Sequence, residues 1–369
     1  MSALGPIHCC RAYYYCRRCG HGLFPWDQRV GLTPKRLTPG AEQLVSMAGA
    51  LCDGFAEAAE RVLPELAGLR LAETTTERTT EAAGQRVGAY LHRGCTFGPR
   101  HQSFAWYRDA RGRTCAYASI DATGVRQQGP HGEAAEGRMP YVAMIYNPVP
   151  ELPATCPYQP PPAARMQARY LAGLYGLDEL GVQLRRQAAQ VGMEQAEQWI
   201  GLTDGGNGLE DFLHTNFPRD IALILDFWHV MEHVAALAKE LHPGDDDQVQ
   251  HLLHSWGATL KKEGGNGMLA VLAQLPIPPR KPAVRDTLAS VVGYISKNLH
   301  RMDYPRYLAN GWLIGSGAVE SACKTVVGQR LKLAGMRWRP NGTDAVCHLR
   351  ALFKSGPEQW QAFWARSVN

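Results

Sequence analysis

The sequence predicts a mixed α/β protein in which a central sheet-forming region is flanked by helical segments. Four short stretches rich in strand-forming residues follow one another, at 114–126, 140–147, 198–203 and 221–225. A long helix is predicted at 163–191, between the second and the third of them. The resulting order of strand, strand, helix, strand, helix and strand is typical of a mixed sheet with helices packed on it.

The composition of the 369 residues is that of a globular chain, with 45% hydrophobic and 20% charged residues. No apolar run approaches the roughly 18 residues that a membrane-spanning helix needs. The first residues lack the basic-then-apolar pattern of a secretory signal. We therefore expect no membrane partner and a cytoplasmic location.

Charge is unevenly distributed along the chain, whose net charge is +5. Residues 1–40 carry six Lys/Arg and one Asp, residues 321–369 carry eight Lys/Arg and two acids, and the segment between them has a net charge of −6. Basic ends around an acidic middle fit a protein that contacts phosphates with its periphery and holds cations at its centre. Uneven solvation of surface charge is the alternative explanation.

A small module rich in cysteine and aromatic residues is predicted within the first segment, 1–38. Cys16-x-x-Cys19 has the spacing of one half of a zinc ribbon, and a structural zinc site needs four ligands. Further candidate ligands are His8, Cys9, Cys10 and His21. Zinc at Cys16 and Cys19 stays an open alternative to a module that binds zinc poorly or not at all. The other cysteines are interpreted as small buried hydrophobic residues: Cys52, Cys95, Cys115, Cys156, Cys323 and Cys347.

Helical patterns lie on both sides of the predicted sheet. One runs from Thr38 to about Leu66 and a second covers 74–91, so residues 39–112 are predicted to form a helix-turn-helix DNA-binding domain or another small helical bundle. A loop with seven prolines is predicted at 148–162. Four later helices are separated by glycine and proline: His229–Leu241, Asp245–Lys262, Met268–Leu275 and Val284–Met302.

Three acidic residues occupy positions that suit metal ligands. Asp121 lies inside an apolar strand (YASIDATG), where an unpaired acid is costly to bury. Asp204 ends another strand and precedes glycines (LTDGGNG), which allow a sharp turn and close approach of a ligand. Glu320 follows a glycine-rich turn that leads into a helix (IGSGAVE). Carboxylate oxygens suit Mg²⁺ or Mn²⁺, whereas a turn or capping role is the alternative for each acid alone.

Several segments resemble the DDE transposases of bacterial insertion sequences, among them the Mutator-related group, and look closest to the Kra-type insertion-sequence family. They span nearly the whole chain in the expected order: YYYCRRCGHGLFPWD, YASIDATGV, LTDGGNG, LDFWHVMEH, IGSGAVESACK and GMRWRPNGTDAV. The resemblance implies an RNase H-like core over 113–229 and 311–369, interrupted by a helical insertion at 230–310. The insertion would account for the 116 residues from Asp204 to Glu320. Family members typically carry another Cys-x-x-Cys upstream, which leaves an N-terminal truncation as one explanation of the partial zinc module.

The resemblance also implies the chemistry. Asp121, Asp204 and Glu320 would hold two Mg²⁺ (or Mn²⁺) ions that act in cutting a strand at the element end and joining its freed 3′-hydroxyl to target DNA. His229 is expected to support the metal ligands or to contact DNA, with a structural histidine as the alternative. Asp226 is expected to support the metal ligands without binding the metal itself, or to replace Asp204 as a ligand. The expected partners are double-stranded DNA, from the terminal inverted repeats and the target, and further copies of the chain, in the bacterial nucleoid.

A basic stretch follows Glu320 closely. Positive charges supply salt-sensitive phosphate contacts, and an aromatic side chain can stack on an unpaired base. We therefore predict DNA contacts for six residues: Lys324, Arg330, Lys332, Arg337, Trp338 and Arg339. The alternative is a solvated basic helix with Trp338 anchored in the core.

Three other functions are compatible with parts of the sequence. An RNase H-like nuclease or resolvase would share the carboxylates without strand transfer. A truncated or domesticated relative would only bind DNA. A metal-dependent phosphohydrolase would use the acids but has no need of basic ends. Metal-dependent cleavage and strand transfer from a terminal 3′-hydroxyl separate these functions.

Overall fold

The structure, a computed structural model, describes residues 1–3, 7–33, 36–99, 103–148, 166–206, 208–218, 220–276 and 282–366. Its strands are β1 (Tyr14–Tyr15), β2 (Gly22–Leu23), β3 (Tyr107–Arg108), β4 (Thr114–Ala122), β5 (Val125–Gln128), β6 (Ala134–Arg138), β7 (Tyr141–Asn147), β8 (Gln167–Gly173), β9 (Gln198–Thr203) and β10 (Ala222–Leu225). Its α-helices are α1 (Pro25–Arg29), α2 (Pro39–Leu51), α3 (Phe55–Glu57), α4 (Leu63–Ala67), α5 (Glu73–His92), α6 (Leu177–Gln190), α7 (Leu209–Asn216), α8 (Phe227–Leu241), α9 (Asp246–Ala273), α10 (Pro282–Asn298), α11 (Tyr304–Ala309), α12 (Gly317–Ala322), α13 (Gln329–Leu331), α14 (Pro340–Lys354) and α15 (Pro357–Arg366). Turns of π-helix join α3 to α4 and α12 to α13. The chain is thus a mixed α/β protein, as predicted.

The central sheet has the strand order β8-β7-β4-β9-β10, and the short β3 pairs with the start of β4. Strands β4, β7 and β8 form an antiparallel meander, whereas β9 is parallel to β4 and β10 is parallel to β9. Along β4, Cys115 and Tyr117 belong to one hydrophobic core, and Ala116, Ala118 and Ile120 belong to another. Because successive side chains of a strand point to opposite faces, both faces of the sheet are covered.

Helices α8 to α11 lie between β10 and α12 in the chain and pack into the core that contains Tyr117. The hydroxyls of Tyr304 and Tyr307 donate to the backbone carbonyls of Leu225 and Leu223, at 3.1 and 3.3 Å. Among the described strands β10 is the last of the ladder, so these carbonyls have no partner there in a neighbouring described strand. The helical segment therefore covers an edge that would otherwise expose unpaired backbone groups.

The N-terminal helices share a core with the C-terminal helices. Helices α5 and α14 approach closely at Gly84, where a side chain would meet the backbone of Ala345. The core between them contains residues from both helices: Ala83, Val87, Leu91, Leu349 and Leu352. The predicted segment 39–112 therefore packs directly on the end of the chain, although Ala41, Val45 and other residues form an additional small core.

Most predicted strands are confirmed. The stretches at 140–147, 198–203 and 221–225 form β7, β9 and β10, and the one at 114–126 begins with β4. The helix predicted at 74–91 is α5. Apolar runs bounded by turn residues identify these elements because the strands are buried on both faces.

The long helix predicted at 163–191 is wrong in its first half. Residues Gln167–Gly173 form β8, and the helix begins only at Leu177. Strand β8 pairs with β7 from Tyr141 to Asn147. This tertiary hydrogen bonding decides the conformation of a segment whose local sequence does not distinguish helix from strand.

Three further differences concern helix boundaries and a hairpin. The helix predicted from Thr38 to Leu66 is interrupted at Cys52–Gly54. The helices predicted at Asp245–Lys262 and Met268–Leu275 form one helix, α9, kinked at Gly264. The β5–β6 hairpin was not predicted. The proline-rich loop lies outside the described residues, except for residue 148.

Gly264 provides a test of the kink in α9. It has φ +68°, and a Cβ there would lie 2.7 Å from the carbonyl oxygen of Met302. We expect Gly264→Ala to lower the free energy of unfolding by about 1–3 kcal/mol, from left-handed backbone strain and the backbone contact. Gly293→Ala in α10 is the control, because no atom lies within 4 Å of its Cβ position. It should raise stability by about 0.5–1 kcal/mol. Equal urea midpoints for the two variants would contradict this explanation.

Candidate functional site

Asp121 and Asp204 lie at the same edge of the sheet. Strands β4 and β9 are parallel and pair with Ser119 opposite Leu202. Two residues further along each strand stand Asp121 and Asp204, so the register carries both acids to the carboxyl ends of neighbouring strands. Such strand ends are where ligands bind in open α/β sheets. The chain turns directly after Asp204, where Asp204 Oδ1 accepts the Gly206 N–H at 2.9 Å.

Asp226 follows β10 at the same edge, but its carboxylate is fully engaged within the protein. It is 2% exposed and caps α8, accepting the N–H groups of Trp228 (3.1 Å) and His229 (3.2 Å). It also accepts the N–H of Ser316 at 3.0 Å and the Ser316 hydroxyl at 2.9 Å. The structure thus gives Asp226 a role in joining α8 to the segment that leads into α12.

The same serine also contacts Glu320. The Ser316 hydroxyl lies 2.6 Å from Glu320 Oε1 as well as 2.9 Å from Asp226 Oδ2. One hydroxyl has a single proton to donate, so it bonds one carboxylate at a time while remaining against both. Glu320 is exposed on the short helix α12, and its side chain is therefore oriented mainly by this contact.

The charges of Asp204 and Glu320 both act on Asp121. Burial raises the pKa of Asp121 above its ordinary value, and the charges of Asp204 and Glu320 raise it further. The N–H of Ala122 opposes this shift from 2.6 Å. A cluster of like charges at a partly buried position is unfavourable by itself and becomes favourable when a cation neutralises it.

Cys323 is a partner of Asp121 that the sequence interpretation missed. Its thiol lies 3.4 Å from Asp121 Oδ2 and donates to it. Burial and the neighbouring Asp121 charge raise the pKa of Cys323, so the thiol keeps its proton. Cys323 is buried, as predicted, but it also holds one oxygen of Asp121.

His229 belongs to a small cluster of aromatic and acidic side chains. Its Nδ1 lies 3.3 Å from Glu232 Oε2, and its ring contacts His233 and Tyr294. The Tyr294 hydroxyl donates to the backbone carbonyl of Asp204 at 3.1 Å. His229 thus lies near the turn that positions Asp204. Tyr294 could not be identified from the sequence, because it comes from α10, far along the chain.

The donor chemistry of the three acids fits Mg²⁺ or Mn²⁺, which prefer carboxylate oxygens. The described residues do not include three or more His, Cys, Asp or Glu side chains already arranged to hold a metal ion. Asp121 and Asp204 come from neighbouring strand ends, whereas Glu320 is an exposed residue of the short helix α12.

Cys16 and Cys19 form a compact turn at the tip of the β1–β2 hairpin. The carbonyl of Cys16 accepts the Gly20 N–H at 2.9 Å, and hydrogen bonds with Cys19 and Arg18 lower the pKa of Cys16. Both thiols are exposed. Within the described part of the chain, no group of three or more potential metal ligands gathers around these two thiols.

The six residues predicted to contact DNA divide into two groups. Lys324, Lys332, Arg337 and Arg339 are exposed, and the Lys332 ammonium donates to the Thr123 hydroxyl at 2.9 Å, close to Asp121. Arg330 and Trp338 are only 1% and 7% exposed. Trp338 is therefore anchored in the core, as the alternative expectation had it, whereas DNA contact by Arg330 and Trp338 stays a prediction. The Arg330 guanidinium packs between Phe55 and Trp338, so aromatic stacking offsets the burial of its charge.

No family model and no curated protein matches the chain. None of the described helices is both long enough and apolar enough to span a membrane.

Asp121→Asn tests the electrostatics of the carboxylate cluster. Because the folded-state pKa of Asp121 is raised, its ionised form destabilises the fold above that pKa, and the penalty vanishes below the ordinary pKa. We expect Asp121→Asn to raise the Tm by about 1–3 °C at pH 7 without divalent ions, and the difference to disappear as the pH falls. Asp178→Asn, an exposed position in α6, should change little. A lower Tm for Asp121→Asn at pH 7 would contradict the interpretation.

Proposed function

We propose that this protein is a DDE-type DNA transposase that cuts at the ends of an insertion sequence and joins those ends to target DNA. The supporting observations are that Asp121 and Asp204 lie at the ends of neighbouring parallel strands and that the charges of Asp204 and Glu320 both raise the pKa of Asp121. The strand order also supports an RNase H-like core, since an antiparallel meander is extended on one side by two parallel strands. Helices α8 to α11 then correspond to the insertion before Glu320.

The metal ligands in this proposal are Asp121, Asp204 and Glu320. Bound Mg²⁺ would supply activation of the attacking oxygen and stabilisation of the leaving oxygen of the phosphodiester. Around the ligands, the Cys323 thiol and the Ala122 N–H orient Asp121, and Ser316 orients Glu320. These contacts limit the freedom of two carboxylates before DNA binds.

The roles of the remaining site residues follow from their contacts. Asp226 is a positioning residue, because its oxygens are bonded to α8 and to Ser316. His229 supports the turn at Asp204 through the ring cluster with Tyr294. The proposed partners are double-stranded DNA, as element ends and target, and a second copy of the chain. Exposed basic residues after Glu320 are the proposed phosphate contacts.

Cleavage and strand transfer test the proposal directly. The full-length protein is incubated with Mg²⁺, a plasmid target and duplexes taken from the DNA bordering its coding sequence, with one strand labelled at its 5′ end. We expect nicked ends and joined products. Asp121→Ala should lower the yield of both by more than roughly 100-fold, which is the upper size of the loss when a residue that only supports metal ligands is removed.

The outcomes separate the alternatives. Asp178→Ala, an exposed aspartate in α6, is the matched control and should keep full activity. Cleavage without joining, from ends that carry a free 3′-hydroxyl, would indicate a nuclease or resolvase. DNA binding without metal-dependent cleavage would indicate a protein that only binds DNA.

Lys332 provides a separate test of the DNA-contacting surface. Its ammonium is exposed beside Thr123, two residues from Asp121 in the chain. We expect Lys332→Gln to weaken duplex binding by a similar factor for all sequences and to reduce the slope of log K against log salt by about 1. Lys262→Gln, exposed in α9, is the control. An unchanged salt slope for Lys332→Gln would remove this residue from the DNA surface.

A further inference from the structure

Arg301 is a buried arginine beside the turn that carries Asp204. It ends the short 3₁₀ turn Leu299–Arg301, which follows α10 in the helical segment between β10 and α12, and it is only 3% exposed. A guanidinium stays charged at neutral pH, so burying it is costly unless hydrogen-bond acceptors surround it. The partners of Arg301 therefore indicate why the charge is held there.

The guanidinium of Arg301 bridges the two ends of the segment that carries Asp204. Its Nη1 donates to the hydroxyl of Thr203, the residue directly before Asp204, at 3.1 Å. Its Nε lies 3.4 Å from Oε2 of Glu210, which stands six residues after Asp204 in the first turn of α7. Because both partners contact one rigid, planar group, the end of β9 and the start of α7 are held at a fixed separation.

Arg301 is itself oriented by the end of α10. Its Nε and Nη2 lie 3.3 and 2.6 Å from Oδ1 of Asn298, the last residue of α10. The Asn298 amide donates to the carbonyl of Tyr294 at 2.9 Å, and the Tyr294 hydroxyl donates to the carbonyl of Asp204. This part of the helical segment thus contacts two successive residues, Thr203 and Asp204.

The turn after Asp204 packs against the same two side chains. Gly205 has φ +87°, and a Cβ there would lie 2.8 Å from the Tyr294 hydroxyl oxygen and 3.5 Å from Nη2 of Arg301. The backbone that carries the Asp204 carboxylate is therefore contacted before it, at it and after it by one helical segment. A carboxylate on a fixed backbone loses less conformational freedom when it binds a cation, so its affinity is higher.

We infer that Arg301 is a positioning residue for the proposed cation site, and that it acts on the Asp204 turn through Thr203 and Glu210. The inference rests on the proposed function, because Asp204 is a metal ligand only there. It gives the helical segment a role in addition to covering the edge of β10. Removing the Arg301 guanidinium should weaken cation binding even when the protein remains folded.

A role of Arg301 in stability alone is the competing explanation. Replacing a buried ion pair by apolar residues is often neutral for stability, so the pair with Glu210 is weak evidence for such a role. If Arg301 only stabilises the fold, its loss lowers the Tm and leaves the cation affinity of the folded protein unchanged. The two roles therefore differ in a quantity that can be measured.

The test measures the binding of Mn²⁺ to the full-length protein without DNA, from the electron paramagnetic resonance signal of the free ion, together with the Tm of each variant. We expect Arg301→Gln to raise the Kd for Mn²⁺ about tenfold, the lower end of the loss found for residues that support metal ligands. Arg301→Lys keeps a positive charge but not the planar fork, so it should restore only part of the affinity.

Arg169→Gln is the matched control. Arg169 is 5% exposed and its guanidinium donates to the carbonyl of Ser355 at 2.9 Å, so its loss should also lower the Tm. It belongs to β8, which β7 and β4 separate from β9 in the sheet. The Kd for Mn²⁺ should therefore be unchanged in this variant.

Thr203→Val keeps the test decisive if Arg301→Gln fails to fold. Valine is close to threonine in size but has no hydroxyl, so Nη1 of Arg301 loses this acceptor. We expect Thr203→Val to raise the Kd for Mn²⁺ at least about threefold, since the loss of a hydrogen bond to a charged group is of that size or larger.

Each outcome has a defined meaning. A Kd for Mn²⁺ that is the same in the wild type, Arg301→Gln and Thr203→Val, or a rise that Arg169→Gln matches, overturns the inference. Binding that is absent from the wild type, or insensitive to Asp204→Ala, overturns the proposed metal site and the inference with it. The expected pattern of Kd values without cleavage or strand transfer supports the positioning role and contradicts the proposed transposase activity, so the two failures are seen separately.

Discussion

The buried carboxylate of Asp226 is the interaction on which the rest of the site depends. It caps the first helix after the sheet and, through Ser316, holds the start of the helix that carries Glu320. These two helices are separated in the chain by α9, α10 and α11, so the contact joins segments that are far apart in the sequence. A buried carboxylate of this kind is stable only with its full set of donors, which makes the junction specific as well as strong. Everything proposed for Glu320 requires this junction.

The sequence predicts the sheet and its acidic edge well, and the reason is local. Strands β9 and β10 are apolar runs that end directly in Asp204 and Asp226, so the runs and the acids mark the strands and their ends together. What places Asp121 beside Asp204 is the register between β4 and β9, which depends on long-range pairing. The same dependence explains the error at β8, whose strand conformation is set by β7.

The supporting residues could not be predicted, since each comes from a distant element. Ser316, Cys323 and Tyr294 look like ordinary turn, core and helix residues in the sequence, and only their placement against the acids gives them a role. Arg330 shows the opposite failure. Its charge suggests a surface position, but two aromatic faces and the carbonyl of Gly49, at 3.0 Å, accommodate it in the interior. Burial lowers its pKa to about 10, which still leaves it protonated at neutral pH.

The separation of the three acids along the chain has a consequence for biosynthesis. Asp121 and Asp204 leave the ribosome 116 residues or more before Glu320 does, and α12 can dock only after that. At about 5–20 residues per second, the nascent chain spends on the order of 10 s with an incomplete set of acids. If the acids act together as proposed, a partly synthesised protein cannot cut DNA until α12 has been translated.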